Sequence, residues 1–315
     1  MDASSLGTGV REPLLREPQP RRAGARERPA GVPIPAGPHD WGLFGPGSVS
    51  WRVHSNPVLL VGGLRALLIQ SLNPLAMAGI DQHSDYLERP LSRLQRTASY
   101  VATIVFGDTA TAERTGEMVT RLHSRVAGID PITASAYSAQ DLETMLWVHC
   151  VEIHSFLAAY RAYGGRMSDD EQDAYLREQV AAAELLGIPG EVVPASRRDY
   201  GVYFEVMRDR LCVSEASRNA IELVVAPPLT RELLPHQPAL RTMAAAAVAI
   251  TPRYIRRLTG TDRSRLTCAA AGAATRVAGV VFRIPPLDRS GGRLVGARTV
   301  SLPRAALAAA REAGV

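Results

Sequence analysis

The chain has no lysine, only three cysteines, and few aromatic residues, 5% of its 315 positions. Each scarcity removes a class of chemistry. All 36 basic side chains are arginine, so there is no Schiff base, no Walker-type phosphate lysine and no lysine general base. Cys150, Cys212 and Cys268 lie far apart and make neither a C-x-x-C pair nor a zinc spacing. Sparse, odd-numbered thiols indicate a reducing, cytoplasmic setting. No apolar run reaches membrane length. The best candidate, 61–80, carries Arg65, Gln70, Asn73 and Pro74, so no integral membrane segment is expected. Arg21-Arg22 leads into Ala-Gly-Ala-Arg-Glu-Arg rather than an apolar stretch, so no export signal is read there. Glycine-rich phosphate loops, nucleophile elbows and paired catalytic carboxylates are missing as well.

The net charge of +5 is unevenly spread, with arginines far outnumbering acids beyond Arg231. No aromatic interleaving and no recognisable nucleic-acid module accompanies them. A solvated basic face, with no nucleic-acid partner, is the expectation.

What is present is helical punctuation. Residues 1–38 are rich in Pro, Arg, Gly and Glu without a hydrophobic period, and are expected to be a disordered tail. The folded part starts near Trp41. An apolar helical stretch, Gly62 to Ala78, is interrupted at Pro74. Leu91 to Phe106 is helical and stops at Gly107. Asp108 or Thr109 caps a helix from about Thr111 to Ala127, closed by Gly128. Ser138 with Asp141 resembles a capping box opening a long helix to Gly164-Gly165, and Ser168 with Glu171 and Ser196 with Asp199 repeat the signature. Weaker helical patterns follow at Leu240 to Ile250 and Pro252 to Gly260. Only Val280 to Ile284 reads as strand. These features predict a single all-α domain over 39–265 and a basic, Ala/Arg-rich extension over 266–315.

Two helical patches carry the chemistry that is left. Arg93, Arg96 and Thr97 are spaced i, i+3, i+4 and share one face. Two guanidiniums and a hydroxyl on one stripe are costly to bury without an anion, a cofactor or a bound oxygen species. His123 follows, among Val119, Leu122 and Val126 on an apolar face. It reads either as an axial metal or haem ligand or as a hydrogen-bonded core histidine, and spacing alone does not decide. His149 and His154 are five apart, so they are not a zincin pair. His149 and Glu152 are i, i+3 and can meet. That stripe is either a self-satisfied polar seam or, for His149, an outer partner of a ligand or a pocket wall. Asn73-Pro74 breaks a core helix, either as a simple kink or where a cofactor takes up the freed backbone groups.

The order of these residues has a likeness. Trp51-Arg52-Val53-His54, Gly62-Gly63-Leu64-Arg65, Arg93-x-x-Arg96-Thr97, His123-x-x-Val126-x-Gly128, Tyr137-Ser138-Ala139 and Leu146-Trp147-Val148-His149 together resemble the MpaB/rubber-oxygenase family, which includes the latex clearing proteins. The likeness continues through Tyr175-Leu176-Arg177-Glu178, Leu186-Gly187-Ile188-Pro189 and Tyr203-Phe204, and spans roughly 41–260.

The resemblance implies an all-α, globin-like helical bundle holding a non-covalent b-type haem (heme b) that activates dioxygen. It places His123 as the proximal ligand and Arg93 and Thr97 in the polar stripe. Arg96 falls where latex clearing proteins carry a distal lysine. An arginine cannot give up its charge to coordinate iron. It would leave that side open, or hydrogen-bond bound oxygen or a propionate. Asn73 stands where many members carry His-Pro. The expectation is a haem b-dependent oxygenase of a small, apolar, unsaturated substrate. Arg93, Arg96 and Thr97 would act in catalysis, His123 would be the metal ligand, and Arg93, His149 and Asn73 would contact the cofactor. The alternatives are a non-catalytic haem- or small-molecule-binding protein, or a helical protein whose stripe forms ion pairs with Asp85, Glu88 or Glu152. The sequence does not set the oligomeric state.

Overall fold

The computed structural model describes residues 39–227, 234, 237–264, 267, 269–275 and 297–314. The expected tail, the strand-like run at 280–284 and much of the basic extension lie outside these residues. The described residues form an all-α bundle, as the punctuation predicted, with one small hairpin that it did not.

Helix α6 (Leu142–Ala159) is its axis. It is apolar on nearly every side, and a helix of that kind is stable only inside a core. Trp147, Cys150, Val151, Ser155 and Ala159 along it are fully buried. Helices α1 (Val49–His54), α2 (Leu59–Gln70), α3 (Pro74–His83) and α7 (Asp169–Glu178) pack around α6. The closest approach is by α2. A Cβ on Gly62 would lie 3.0 Å from the Phe156 Cα and 3.0 Å from the Ser155 carbonyl oxygen. Beside that contact Arg65, 1% exposed, donates to Ser155 Oγ at 2.7 Å and to the Ile250 carbonyl at 3.2 Å. It thus ties α2 to α6 and to the end of α11 (Gln237–Ala249).

The apolar stretch around Pro74 is two helices, α2 and α3, bent by 105°. Asn73 caps α3, its side-chain oxygen accepting from Ala76 N at 3.1 Å, with Pro74 in the first turn where its missing N–H costs nothing. The carbonyls freed at the break are taken up by the protein itself. Gln70 O accepts from Trp147 Nε1, Ser71 O from Ser217 Oγ and Leu72 O from Cys212 N. Among the described residues no single helix is long and apolar enough to cross a membrane.

Helices α4 (Pro90–Phe106) and α5 (Thr109–His123) form a helical hairpin closed by Gly107-Asp108. Asp108 is the cap, accepting from Thr111 N at 2.8 Å. The helix ends at His123, four residues before the expected Ala127, because Ala127–Ile129 (β1) pairs antiparallel with Ala136–Ser138 (β2). Asp130 sets the connecting turn by accepting from Thr133 N and Oγ1. Ser138 therefore belongs to a strand, and Asp141 alone caps α6. The long helix loosens into a π-helical turn at Tyr160–Gly164. The Ser168–Glu171 capping box of α7 is present, and Ser196 caps α9 (Arg197–Met207). Between them α8 (Val180–Leu185) packs on α5. Helices α10 (Glu215–Val225), α11 and α12 (Arg253–Leu258) complete the α2–α3 side, and the last described helix, α13 (Ala297–Glu312), lies against α4.

Candidate functional site

The α4–α5 hairpin is asymmetric. Val101 to Phe106 of α4 are all buried, and no residue before Val101 is. In α5 only Ala112 and Gly116 are buried. The closed end of the hairpin is thus locked into the core by Ile104, Val105, Phe106 and Ala112 against Ala182 and Leu185. At the open end α4 is only half-buried, with Leu91 and Ala98 packed on Leu240 and Val300 and with Arg96 and Thr97 exposed. Arg93 and His123 both belong to that end, each ~20 Å along its helix from the turn at 1.5 Å per residue.

The end of α3 links the two. Arg93 Nη1 donates to Ser84 Oγ at 2.6 Å. The adjacent His83 Nε2 lies 3.1 Å from the Ala127 carbonyl, and Val126 packs over Gly79. Arg93 is half-buried, with its guanidinium 5.9 Å from the Tyr86 ring centre. Burial, and then the neighbouring Arg96, hold its pKa below the usual arginine range. It makes no ion pair among the described residues.

Arg96 differs from the expectation of a buried guanidinium. Its side chain is 61% exposed, and it bonds Asp85 Oδ1 at 3.1 Å and Ser92 Oγ at 3.1 Å. One of the ion pairs expected of a purely structural stripe is therefore present. Thr97 is exposed on that half-buried part of α4. Tyr100 extends the Arg93–Thr97 stripe inward (i+3 from Thr97) and was not singled out from sequence, although that spacing marks it.

His123 is the last residue of α5 and is half-buried. Val119 and Val126 beside it are half-buried, but Leu122 is 55% exposed, so its face is not uniformly apolar. Neither ring nitrogen has a hydrogen-bond partner among the described residues. Burial lowers its pKa, which favours the neutral imidazole.

The other two expected contacts stand apart. Asn73 is at the far end of α3, ~15 Å along the helix from the Ser84 end, and its side-chain oxygen is engaged as a cap. His149 lies within α6, 7% exposed, its Nε2 buried without a partner, and burial lowers its pKa to about 4. No hydrogen bond joins it to Arg93, Thr97 or His123 among the described residues. Nor does any group of three or more His, Cys, Asp or Glu there form a metal-holding cluster. An open depression of about 670 Å³, lined by Arg161, Arg166 and Gln172 among others, contains none of the expected site residues.

Residues 51–283 match the model of the family described as ER-bound oxygenase mpaB/B'/Rubber oxygenase, catalytic domain. The chain belongs to this family. Its members' domain is an oxygenase catalytic domain, and the match takes in both patches, the α4–α5 hairpin and all of α6. Neither the curated proteins nor the solved structures compared with the chain give a match. In this MpaB/rubber-oxygenase domain, α13 lies beyond the matched span and still packs on α4 through Leu302, Ala306 and Ala310.

Proposed function

We propose that the protein is a haem b-dependent oxygenase that uses dioxygen to oxidise a small, apolar, unsaturated substrate, and that it works in the cytoplasm. The observation that carries this reading is His123, a half-buried imidazole favoured neutral and, among the described residues, without a hydrogen bond at either nitrogen. It stands at the open, half-buried end of the hairpin that also bears Arg93 and Thr97. A neutral imidazole with a free nitrogen is the ligand a haem iron takes.

The residues present fit that group. His123 would ligate the iron. Among the described residues Arg93 is held by the Ser84 hydroxyl and the Tyr86 ring and makes no ion pair, so it retains capacity for a propionate or bound oxygen. Thr97 would offer a hydroxyl hydrogen bond from the same stripe. Arg96 keeps its charge and is held by Asp85, so it offers the iron no ligand. Asn73 has a capping duty remote from this group, and no cofactor contact is assigned to it. Bound haem would supply dioxygen activation, and the chain would supply orientation and an apolar surround.

The test is the absorption spectrum of the purified protein after haem supplementation. A Soret band is expected, and its absence would overturn the reading. His123→Ala should abolish or shift that band while changing stability by less than about 0.5 kcal/mol, since no hydrogen bond is lost. Normal haem binding by this variant would overturn the ligand assignment.

A further inference from the structure

Helix α5 turns an ordered outer face to solvent. Its inward side is Ala112 and Gly116, both buried, with Thr115, Val119 and His123 half-buried in line with them. A Cβ on Gly116 would meet Leu185 of α8, which marks that side as the packed one. At about 3.6 residues per turn the outward side divides by chemistry. Glu113 and Glu117 fall along one edge. Arg114 and Arg121 run down the middle, continued by Arg125 just past the helix. Met118 and Leu122 lie beside them on the other edge. These two are about half exposed, at 47% and 55%.

Apolar exposure continues beyond the helix. Side chains alternate across β1. Gly128 faces α3, since a Cβ there would meet Gln82, so Ala127 and Ile129 face away. Ile129 and Ile132, the latter in the connecting turn, are also exposed, and so is Leu87 in the loop that opens α4 at the same end. Large apolar side chains gathered at one end of a molecule mark an interaction surface, where single ones scattered over it would not. The arginines among them are loosely held. The Arg125 side chain has no partner among the described residues. Arg114 bonds the Thr111 hydroxyl at 2.9 Å, and Arg121 stands 3.6 Å from Glu117 with both side chains well exposed.

We propose that this end of the molecule docks on an anionic bilayer surface, with Arg114, Arg121 and Arg125 on lipid phosphates and Met118, Leu122 and Ile129 in the acyl boundary. Charge selects that occupant. Guanidinium donors match phosphate oxygens, and a basic row beside an apolar edge is how an interfacial helix holds a membrane. A second copy of the chain fits poorly. In an antiparallel two-fold pair of α5 helices like edges face one another, so arginine would meet arginine. Helix α9 supplies the contrast within the same molecule. Val202, Glu205, Val206 and Asp209 repeat the spacing of Met118, Arg121, Leu122 and Arg125, and both valines are exposed. Acids stand there in place of arginines, and an anionic surface repels them. The docking requires no haem and goes beyond the oxygenase reading.

The experiment is co-sedimentation of the full chain with vesicles of phosphatidylcholine alone, or of equal parts phosphatidylcholine and phosphatidylglycerol. Binding is expected to the anionic vesicles only, and should weaken as salt rises. Arg121→Gln with Arg125→Gln should weaken it about fivefold per arginine. Met118→Ser with Leu122→Ser should remove most of it, and Val202→Ser with Val206→Ser should leave it unchanged. All six side chains are exposed, so the three double variants should melt with the parent. Absence of binding, or equal binding to both kinds of vesicle, would overturn the proposal. So would binding that survives both α5 variants, or that the α9 variant loses equally. A dimer in analytical ultracentrifugation that Met118→Ser with Leu122→Ser disperses would assign the face to a second copy instead. Vesicle binding without a Soret band would overturn the haem reading alone, and a Soret band without vesicle binding would overturn this assignment alone.

Discussion

Two adjacent glycines in α2 should respond to the same substitution with opposite sign. Alanine in place of either gains about 1 kcal/mol of intrinsic helix propensity. At Gly63 nothing lies within 4 Å of the added methyl, so that gain should survive, and Gly63→Ala should stabilise by ~0.5–1 kcal/mol. At Gly62 the methyl would meet backbone, the Phe156 Cα and the Ser155 oxygen, both at 3.0 Å. Backbone inside a buried helix cannot swing aside as a flexible side chain can. Helices α2 and α6 must separate by some tenths of an ångström, at an overpacking cost of ~1–3 kcal/mol. Their separation also stretches the 2.7 Å bond from Arg65 to Ser155. The cost exceeds the gain, and Gly62→Ala should be net destabilising by ~1–2 kcal/mol. At about 2–4 °C per kcal/mol for a domain of this size, thermal melts should place the two variants on opposite sides of the parent. Melts that move the same way, or a Gly62→Ala variant as stable as Gly63→Ala, would refute the reasoning.

Acid should destabilise the fold. His54 and His149 are buried and His154 is half-buried; burial, joined at His154 by Arg65 and Arg161, lowers their pKa values from 6.5 to about 3, 4 and 3. Below pH 6.5 the unfolded chain takes up protons that the folded chain refuses, so each removes about 1.4 kcal/mol per pH unit. Glu152, raised from 4.5 to about 7, binds its proton earlier when folded and opposes one of the three between those values. Denaturant melts across pH 5–7 should show a net loss of roughly 2–3 kcal/mol per unit below 6.5, and a flat profile would refute it. Asn73→Ala removes the cap of α3 and should cost about 1 kcal/mol in such melts, with the haem spectrum unaltered. Arg96→Ala breaks only the exposed pair with Asp85, at 61% and 37% side-chain exposure. It should change stability by less than ~1 kcal/mol.

The helical class and most helix starts are written in local chemistry. Ser168–Glu171, Ser196, Asp108 and Asn73-Pro74 each act within a few residues of themselves, and each works as a cap. The β hairpin escaped notice because three-residue strands have no readable period, and only the Asp130 turn hints at it. The site was partly legible. The spacing of Arg93 and Thr97 told which side chains share a stripe, but not that Asp85, eleven residues back, draws Arg96 outward. The far placement of Asn73 depends on the 105° bend between α2 and α3, a tertiary quantity. That His149 Nε2 is buried without a partner among the described residues depends on what surrounding helices fail to provide, which no spacing along α6 records.

The seam between α4 and α13 bears on the order of assembly. Ser99 meets Thr299 across 200 residues, 3.4 Å apart. The α4–α5 hairpin closes through a two-residue turn and can form early from local contacts. Its α13 contact closes one of the longest loops in the chain, and such closures come late because their entropy must be met first. The hairpin therefore exists for a time before the last helix docks. In that interval the side of α4 that the finished fold buries under α13 is open to solvent, so the hairpin must hold on its own local contacts until the chain's far end arrives.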